Sequence, residues 1–404
     1  MPDSGTYVRK GFGLKTEVQH DLSADYSGDL VDRLRANEYT LTVGDVTIRL
    51  AQEFGFCYGV ERAVEYAYQT RRKFPDRRIF LAGEIIHNPH VNARLREMGI
   101  VFLSRVDKGE TGFDFGGVMP DDVVILPAFG VTIHDFEHLR SLGCIVVDTT
   151  CGSVLNVWKR VESYARDGFT SIIHGKHYHE ETRATASQTA KYPLGRYLVV
   201  RDMSEARIIC DYIEQKPGAV NAAQLLERFV DRVSPGFDPA LHLERVGVAN
   251  QTTMLARESL DIAAEIGESL ARRHGADERA NHFRSFDTIC SATQDRQDAV
   301  NALLEEPLDV MLVVGGYNSS NTISLAALCA ERVRTYHVQD PSDIDVNRRV
   351  VRFRPAGPHG GEDEAANWLP SGPVRVGITA GASTPNNKIG ETVARVLAMR
   401  GLLA

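Results

Sequence analysis

Short apolar runs alternate with amphipathic, helix-length stretches through most of the chain. VTIRLAQEFGF (46–56) reads as a strand ending at Cys57, and the helical VERAVEYAYQTRR follows it. RIFLAGEI, a helix near VNARLREMG, DDVVILPAF, a helix near HDFEHLRSLG and CIVVDTTC continue the rhythm. Runs this short and this uniformly apolar predict strands buried on both faces, and such strands joined by helices make a parallel α/β sheet. The texture resumes after Cys151 with a helix at VLNVWKRVESYARDG and strands at TSIIHG, RYLVV and RVGVANQ. After Cys290 come DRQDAVNALLE, DVMLVVGG, a helix beginning near Asn321, RTYHVQ, VRVGITAG and a terminal helix.

Three stretches break the pattern. Residues 1–44 read as a mostly polar arm with helical pieces such as SGDLVDRLRANEY; 214–245, with Pro217, Pro235 and Pro239, reads as a peripheral insertion; and 355–373 reads as a Pro/Gly-rich acidic surface loop or hairpin. Between them runs a weak internal repeat. Cys57, Cys151 and Cys290 each end an apolar strand and stand just ahead of a helix, at intervals of 94 and 139 residues. The spacing predicts three similar α/β units, at 58–150, 151–288 and 289–404.

Composition narrows the function classes. Hydrophobic content of 43% suits an ordinary globular protein, and a net charge of −8 with no long basic run argues against nucleic acid. No apolar stretch reaches the roughly 20 residues of a membrane span and no signal-peptide core opens the sequence, so the expectation is a cytoplasmic protein with no membrane partner. The six cysteines form no CxxC and are too scattered for a disulfide framework. A thiol at a strand end and helix start feels the positive pole of the helix, which favours the metal-binding thiolate. Three such thiols meeting on a common axis would suit zinc, copper(I) or an iron–sulfur cluster; equally, free cysteines are often inert core residues, the reading preferred for Cys144, Cys210 and Cys329. With three ligands, one iron of a four-iron cluster stays open as a Lewis acid. Ser319, Ser320 and Asn321 stand where a strand turns into a helix, and either cap that helix or bind an anion.

GFCYGVERAV (55–64), GEIIHNPHV (83–91), DTTC (148–151), HYHEET (177–182), NQTTM (250–254), ICSATQDRQDAV (289–300), YNSSNT (317–322) and TAGASTP (379–385) occur in the order found in the 4-hydroxy-3-methylbut-2-enyl diphosphate reductase (IspH/LytB) family, which the chain resembles from about residue 45 onward. The arm beginning KGFGLKTEV resembles the longer cyanobacterial and plant-type forms. The resemblance implies three α/β units with mainly parallel sheets, in pseudo-threefold array around one 4Fe-4S cluster with an open iron, and residues 45–57 as a strand joining the third unit. It implies reductive dehydroxylation to isopentenyl and dimethylallyl diphosphate in the methylerythritol phosphate pathway. Cys57, Cys151 and Cys290 match the cluster ligands. His87, His179, Ser319, Ser320, Asn321 and Ser383 match diphosphate contacts, Glu181 the proton donor, and Thr252 the threonine near the substrate hydroxyl. A carboxyl group closed in beside a diphosphate is expected to keep its proton, as Glu181 would require.

Two positions depart from the family pattern. Phe129 replaces the third histidine of short forms, as in the longer ones, and Gly152 stands where proline is usual. The matched diphosphate ligands include no Lys or Arg, so neutral donors and protonated histidine must hold the anion. With no GxGxxG and no P-loop signature, electrons are expected from an external ferredoxin or flavodoxin. The competing readings are an open-iron hydro-lyase, a non-enzymatic cluster-based redox sensor and a structural zinc site.

Overall fold

A computed structural model describes residues 6–106, 112–286, 288–357 and 361–403. The chain is α/β and divides into two compact units: one of Met1–Arg9, Arg78–Gly83 and Phe102–Cys290, the other of Lys10–Arg77, Glu84–Val101 and Ser291–Ala404.

The first unit holds two sheets. One has the strand order Tyr7–Val8, Ile145–Asp148, Val123–Leu126, Ile79–Leu81, with Ile100–Phe102 at its end, where the chain passes between units. The other runs Phe283–Ser285, Val246–Asn250, Thr170–His174, Arg196–Val200, every pair parallel. Val123–Leu126, Thr170–His174 and Val246–Asn250 are buried at every residue, as expected of strands covered on both faces. Helix Gly152–Arg166 buries Val157, Val161 and Tyr164 against Phe169 and Ala249, each full apolar burial contributing about 1.5–3 kcal/mol.

The segment read as a peripheral insertion packs apolar side chains inward around short helices. Helix Ala222–Arg228 starts with a reciprocal Asn221–Gln224 capping box, and Leu225, Phe229, Phe237 and Leu243 enter the core under the second sheet. Val199 donates to the Arg232 carbonyl and Ser234 to that of Tyr197, so the segment runs along the Arg196–Val200 strand.

In the second unit the sheet order is Thr335–Val338, Val310–Val314, Val374–Ala380, Val46–Leu50, Thr40–Val43, parallel except for the last pair. That pair is a hairpin turned through Gly44 and Asp45, with φ of +59° at Gly44. The arm helices Lys15–Tyr26 and Asp29–Ala36 belong to this unit, and Val31 and Leu34 enter its core. Ile344–Asp345, Val350–Phe353 and Asp363–Ala366 add a three-stranded antiparallel sheet, so the stretch expected as a surface loop or hairpin carries a strand, and Trp368 beyond it is fully buried. The strand expected over 46–56 ends at Leu50. Beyond it Gly55 takes φ of +70° with the Thr384 carbonyl 3.1 Å from where a Cβ would sit, and its own carbonyl accepts from Arg296 at 2.6 Å. The chain therefore bends before Cys57. Among the described residues no helix is long and apolar enough to cross a membrane.

Candidate functional site

The cysteines separate into two kinds. Cys57 and Cys151 are the N-cap residues of Tyr58–Lys73 and Gly152–Arg166, and Cys290 directly precedes Ser291–Leu304. All three are half-buried, and none of the six is in a disulfide. Cys144, Cys210 and Cys329 lie in apolar cores, where burial pushes their thiols up to about 11, 12 and 12. Only the first kind is built to offer sulfur to a soft metal. Gly152 opens its helix without disturbing the turn: the Cys151 carbonyl still accepts from Leu155 at 3.1 Å.

In the first unit, loops from five strand ends are tied together. Cys151 donates its amide to Ala128 (2.9 Å), and the neighbouring Phe129 ring packs edge-on against His179, with centroids 5.6 Å apart. His179 N-caps the helix Glu180–Ser187, its Nδ1 accepting from the Glu181 amide at 3.1 Å. Glu181 is 2% exposed, and its Oε1 accepts from the Thr252 amide at 2.6 Å. The Thr252 carbonyl in turn accepts from the Cys290 amide at 3.4 Å. Cys151, His179, Glu181, Thr252 and Cys290 thus form one continuous run of contacts. Gln251, which motif reading passed over, braces it: its Oε1 accepts from the Lys176 amide and the Thr182 hydroxyl. Of the polar neighbours, Glu180 pairs with Arg105, and His177 packs on Tyr178 with its pKa lowered by burial.

The second unit gathers the remaining candidates around the turn 380–383. Ala382 accepts from the Cys57 amide (3.3 Å) and donates its own amide to Asn321 Oδ1 (2.9 Å). Ser383 Oγ donates to the His87 carbonyl (3.2 Å) and lies 3.4 Å from Ser319 Oγ. Ser319 N-caps Ser320–Ala330, accepting from the Thr322 amide. Asn321 is 2% exposed, and with its oxygen engaged, its Nδ2 is buried without a hydrogen-bond partner. Gly316 makes the close approach possible, since a Cβ there would lie 2.4 Å from the His87 carbonyl oxygen. His87 Nδ1 lies 2.9 Å from Glu84 Oε2, a partner that motif reading also missed although Glu84 stands three residues away.

Half-buried thiols at helix starts, a buried imidazole and carboxyl, and a hydroxyl–amide cluster at a helix start, all beyond the ends of parallel strands, define the class: an α/β protein with candidate ligand positions outside its strand ends. The family described as LytB protein matches residues 48–397, and the chain belongs to it. Relatives from Thermosynechococcus vestitus and Gloeobacter violaceus, both named 4-hydroxy-3-methylbut-2-enyl diphosphate reductase, are 47% identical over 403 residues (100% of this chain, 97% of the relative) and 48% identical over 402 (99% and 94%). A solved structure titled as (E)-4-hydroxy-3-methyl-but-2-enyl diphosphate reductase, the terminal enzyme of the non-mevalonate pathway, is 27% identical with a TM-score of 0.50, covering 86% of this chain and 98% of its own. The Plasmodium falciparum E-1-hydroxy-2-methyl-but-2-enyl-4-diphosphate reductase shares the fold, with 21% identity, a TM-score of 0.61 and coverage of 88% and 90%. The family read from the ordered motifs is the family to which the chain belongs.

Proposed function

We infer that this chain is a 4-hydroxy-3-methylbut-2-enyl diphosphate reductase. It removes the allylic hydroxyl as water with two electrons and two protons, yielding isopentenyl and dimethylallyl diphosphate. The observation that carries the binding half of this reading is the orphaned Asn321 amide. A buried donor left unpaired costs about 1–3 kcal/mol, and an anionic oxygen at the head of Ser320–Ala330 would relieve it. Ser319, Ser320, Ser383, His87 and His179 are assigned to the same diphosphate.

Three thiols at helix starts, half-buried and outside any disulfide, fit an iron–sulfur cluster by the chemistry of their donors. Cys57, Cys151 and Cys290 are assigned as its ligands. Bound there, a 4Fe-4S cluster would supply electrons singly and offer one open iron as a Lewis acid.

The remaining work falls to side chains. Glu181 is assigned as proton donor, and its bond from the Thr252 amide keeps the carboxyl from swinging away. Thr252 is assigned as relay, since a hydroxyl both accepts and donates. Burial of His179, Glu181 and Thr252 in the first unit keeps water from the assigned proton path. The electron donor is read as an external ferredoxin or flavodoxin, and the compartment as the cytoplasm.

Anaerobically purified protein should contain iron and acid-labile sulfide, oxidise reduced methyl viologen in step with added substrate, and release both products. Cys151→Ser should lose the iron. Dehydration of the substrate without electron consumption would overturn the reading in favour of a hydro-lyase.

A further inference from the structure

Arg296 is a buried cation with no buried anion beside it. It lies on the helix Ser291–Leu304, is 3% exposed, and has no part in the roles assigned above. Its guanidinium meets uncharged oxygens: Nη1 donates to the Ala292 carbonyl at 2.8 Å and Nη2 to the Gly55 carbonyl at 2.6 Å. Nε is buried with no hydrogen-bond partner. Among the described residues no carboxylate comes within 4.0 Å of it, and Glu53, Asp295 and Asp298, the acids nearest along the chain, are exposed.

This arrangement is unfavourable as it stands. A guanidinium is a permanent cation, and burying one without a counterion forfeits its hydration for little return. The helix gives no relief, because its negative pole lies at the far end. Holding the Gly55 carbonyl does not explain the charge either, since one neutral donor would do that. The contacts indicate which anion would answer it. Gly55 stands two residues before Cys57, and the helix bearing Arg296 begins directly after Cys290. Neither contact is to an assigned diphosphate residue.

We propose that Arg296 is a fixed countercharge for the cluster held by Cys57, placed to favour its reduced form. This rests on the reading of Cys57 as a cluster ligand, and it makes Arg296 a tuning residue rather than a catalytic one. The sign follows from charge: an added electron makes the thiolate-bound group more negative, and a nearby cation stabilises the more negative state. Two residues of chain keep Gly55 within about 7 Å of Cys57, which puts the guanidinium roughly 10 Å from the thiol. A unit charge at about that distance, in an effective dielectric of about 20, shifts an equilibrium by about tenfold.

The test is an anaerobic redox titration of the holoenzyme, followed by the electron paramagnetic resonance signal of the reduced cluster, in wild type, Arg296→Lys and Arg296→Gln. Both replacements keep a donor for the Gly55 carbonyl, and only lysine keeps the charge. At a fixed solution potential the reduced-to-oxidised ratio should fall about tenfold in Arg296→Gln, a downward shift of about 59 mV for a one-electron couple, and stay near that of wild type in Arg296→Lys. Affinity for isopentenyl diphosphate, read by calorimetric titration, should be unchanged in both. Equal potentials in all three proteins, or equal shifts with lysine and glutamine, would overturn the proposal in favour of a purely structural brace. Unchanged potentials with weakened diphosphate binding in Arg296→Gln would overturn it too, since the charge would then serve the substrate. If Arg296→Gln holds no iron, iron retained by Arg296→Lys upholds the countercharge, and iron lost from both overturns it. A wild-type chain that holds no iron would overturn the cluster reading itself, and this inference with it.

Discussion

Gly316→Ala isolates the backbone clamp on His87. A methyl group at 316 would sit 2.4 Å from the His87 carbonyl oxygen, against a practical minimum of 3.0 Å, so something must move by at least 0.6 Å. Neither side yields easily: the His87 carbonyl is held by Ser383 Oγ, and the Gly316 carbonyl accepts from Ser319 at 2.9 Å, fixing the turn that caps Ser320–Ala330. Either displacement shifts an assigned diphosphate contact. Overpacking of this kind costs about 1–3 kcal/mol, which in a chain of this size lowers the thermal midpoint by a few degrees. Misplacing a binding group by a sizeable fraction of an ångström should cost roughly tenfold to a hundredfold in kcat/KM. Anaerobic differential scanning and steady-state assays with reduced methyl viologen read both quantities. A variant with an unchanged midpoint and a KM within about twofold of wild type would refute the claim that this contact positions His87 and Ser319.

Other expectations concern neighbouring groups. Glu181→Gln keeps an oxygen for the Thr252 amide, so iron content should persist while turnover falls about 10²–10⁴-fold; normal turnover would remove Glu181 from proton delivery. Asn321→Asp keeps the acceptor for Ala382 but turns the orphaned donor into an anion, and titration with isopentenyl diphosphate should show affinity reduced by about a hundredfold. Burial pulls His174 and His337 down to about 4 from 6.5, so the unfolded chain binds the extra protons; stability should hold above pH 6.5 and fall as pH drops toward 4, by up to about 1.4 kcal/mol per pH unit for each. Urea midpoints across that range should show the slope, and it should be shallower in His174→Gln. Cys329→Ser should retain iron yet lose stability through a buried hydroxyl, the opposite pattern to Cys151→Ser, as parallel iron assays and melts would show.

The sheets were legible because Val123–Leu126, Thr170–His174, Val246–Asn250 and Val310–Val314 are apolar runs buried throughout, and the helix starts because helix-length stretches open directly after Cys57, Cys151 and Ser319. The end of the strand at Leu50 was not legible, since it depends on Gly55 meeting Thr384 and Arg296, partners hundreds of residues away. In the segment read as an insertion, the prolines marked the interruption, whereas the commitment of Leu225, Phe229 and Phe237 to a core assembled by distant strands was not readable. At the site, the candidate residue types were readable from ordered motifs, but what each atom bonds was not. Ser383 and His87 are 296 residues apart, and only the fold shows the hydroxyl of one on the carbonyl of the other. Glu84 was nearer, at three residues from His87, yet nothing in a strand-like GEIIH run distinguishes a ring-holding carboxylate from a solvated one.

The middle strand of the second unit has a consequence for biosynthesis. Val374–Ala380 pairs with Val46–Leu50 on one side and Val310–Val314 on the other, so a segment made late completes a sheet begun by one far earlier in the chain. At ribosomal rates the early strand waits roughly 16 to 66 seconds for its neighbour, exposing an apolar edge that chaperones are suited to shield. Cys57 lies just beyond that waiting strand, and its amide acceptor Ala382 emerges later still. Until Ala382 has been made, the backbone niche around that thiol lacks one of its walls.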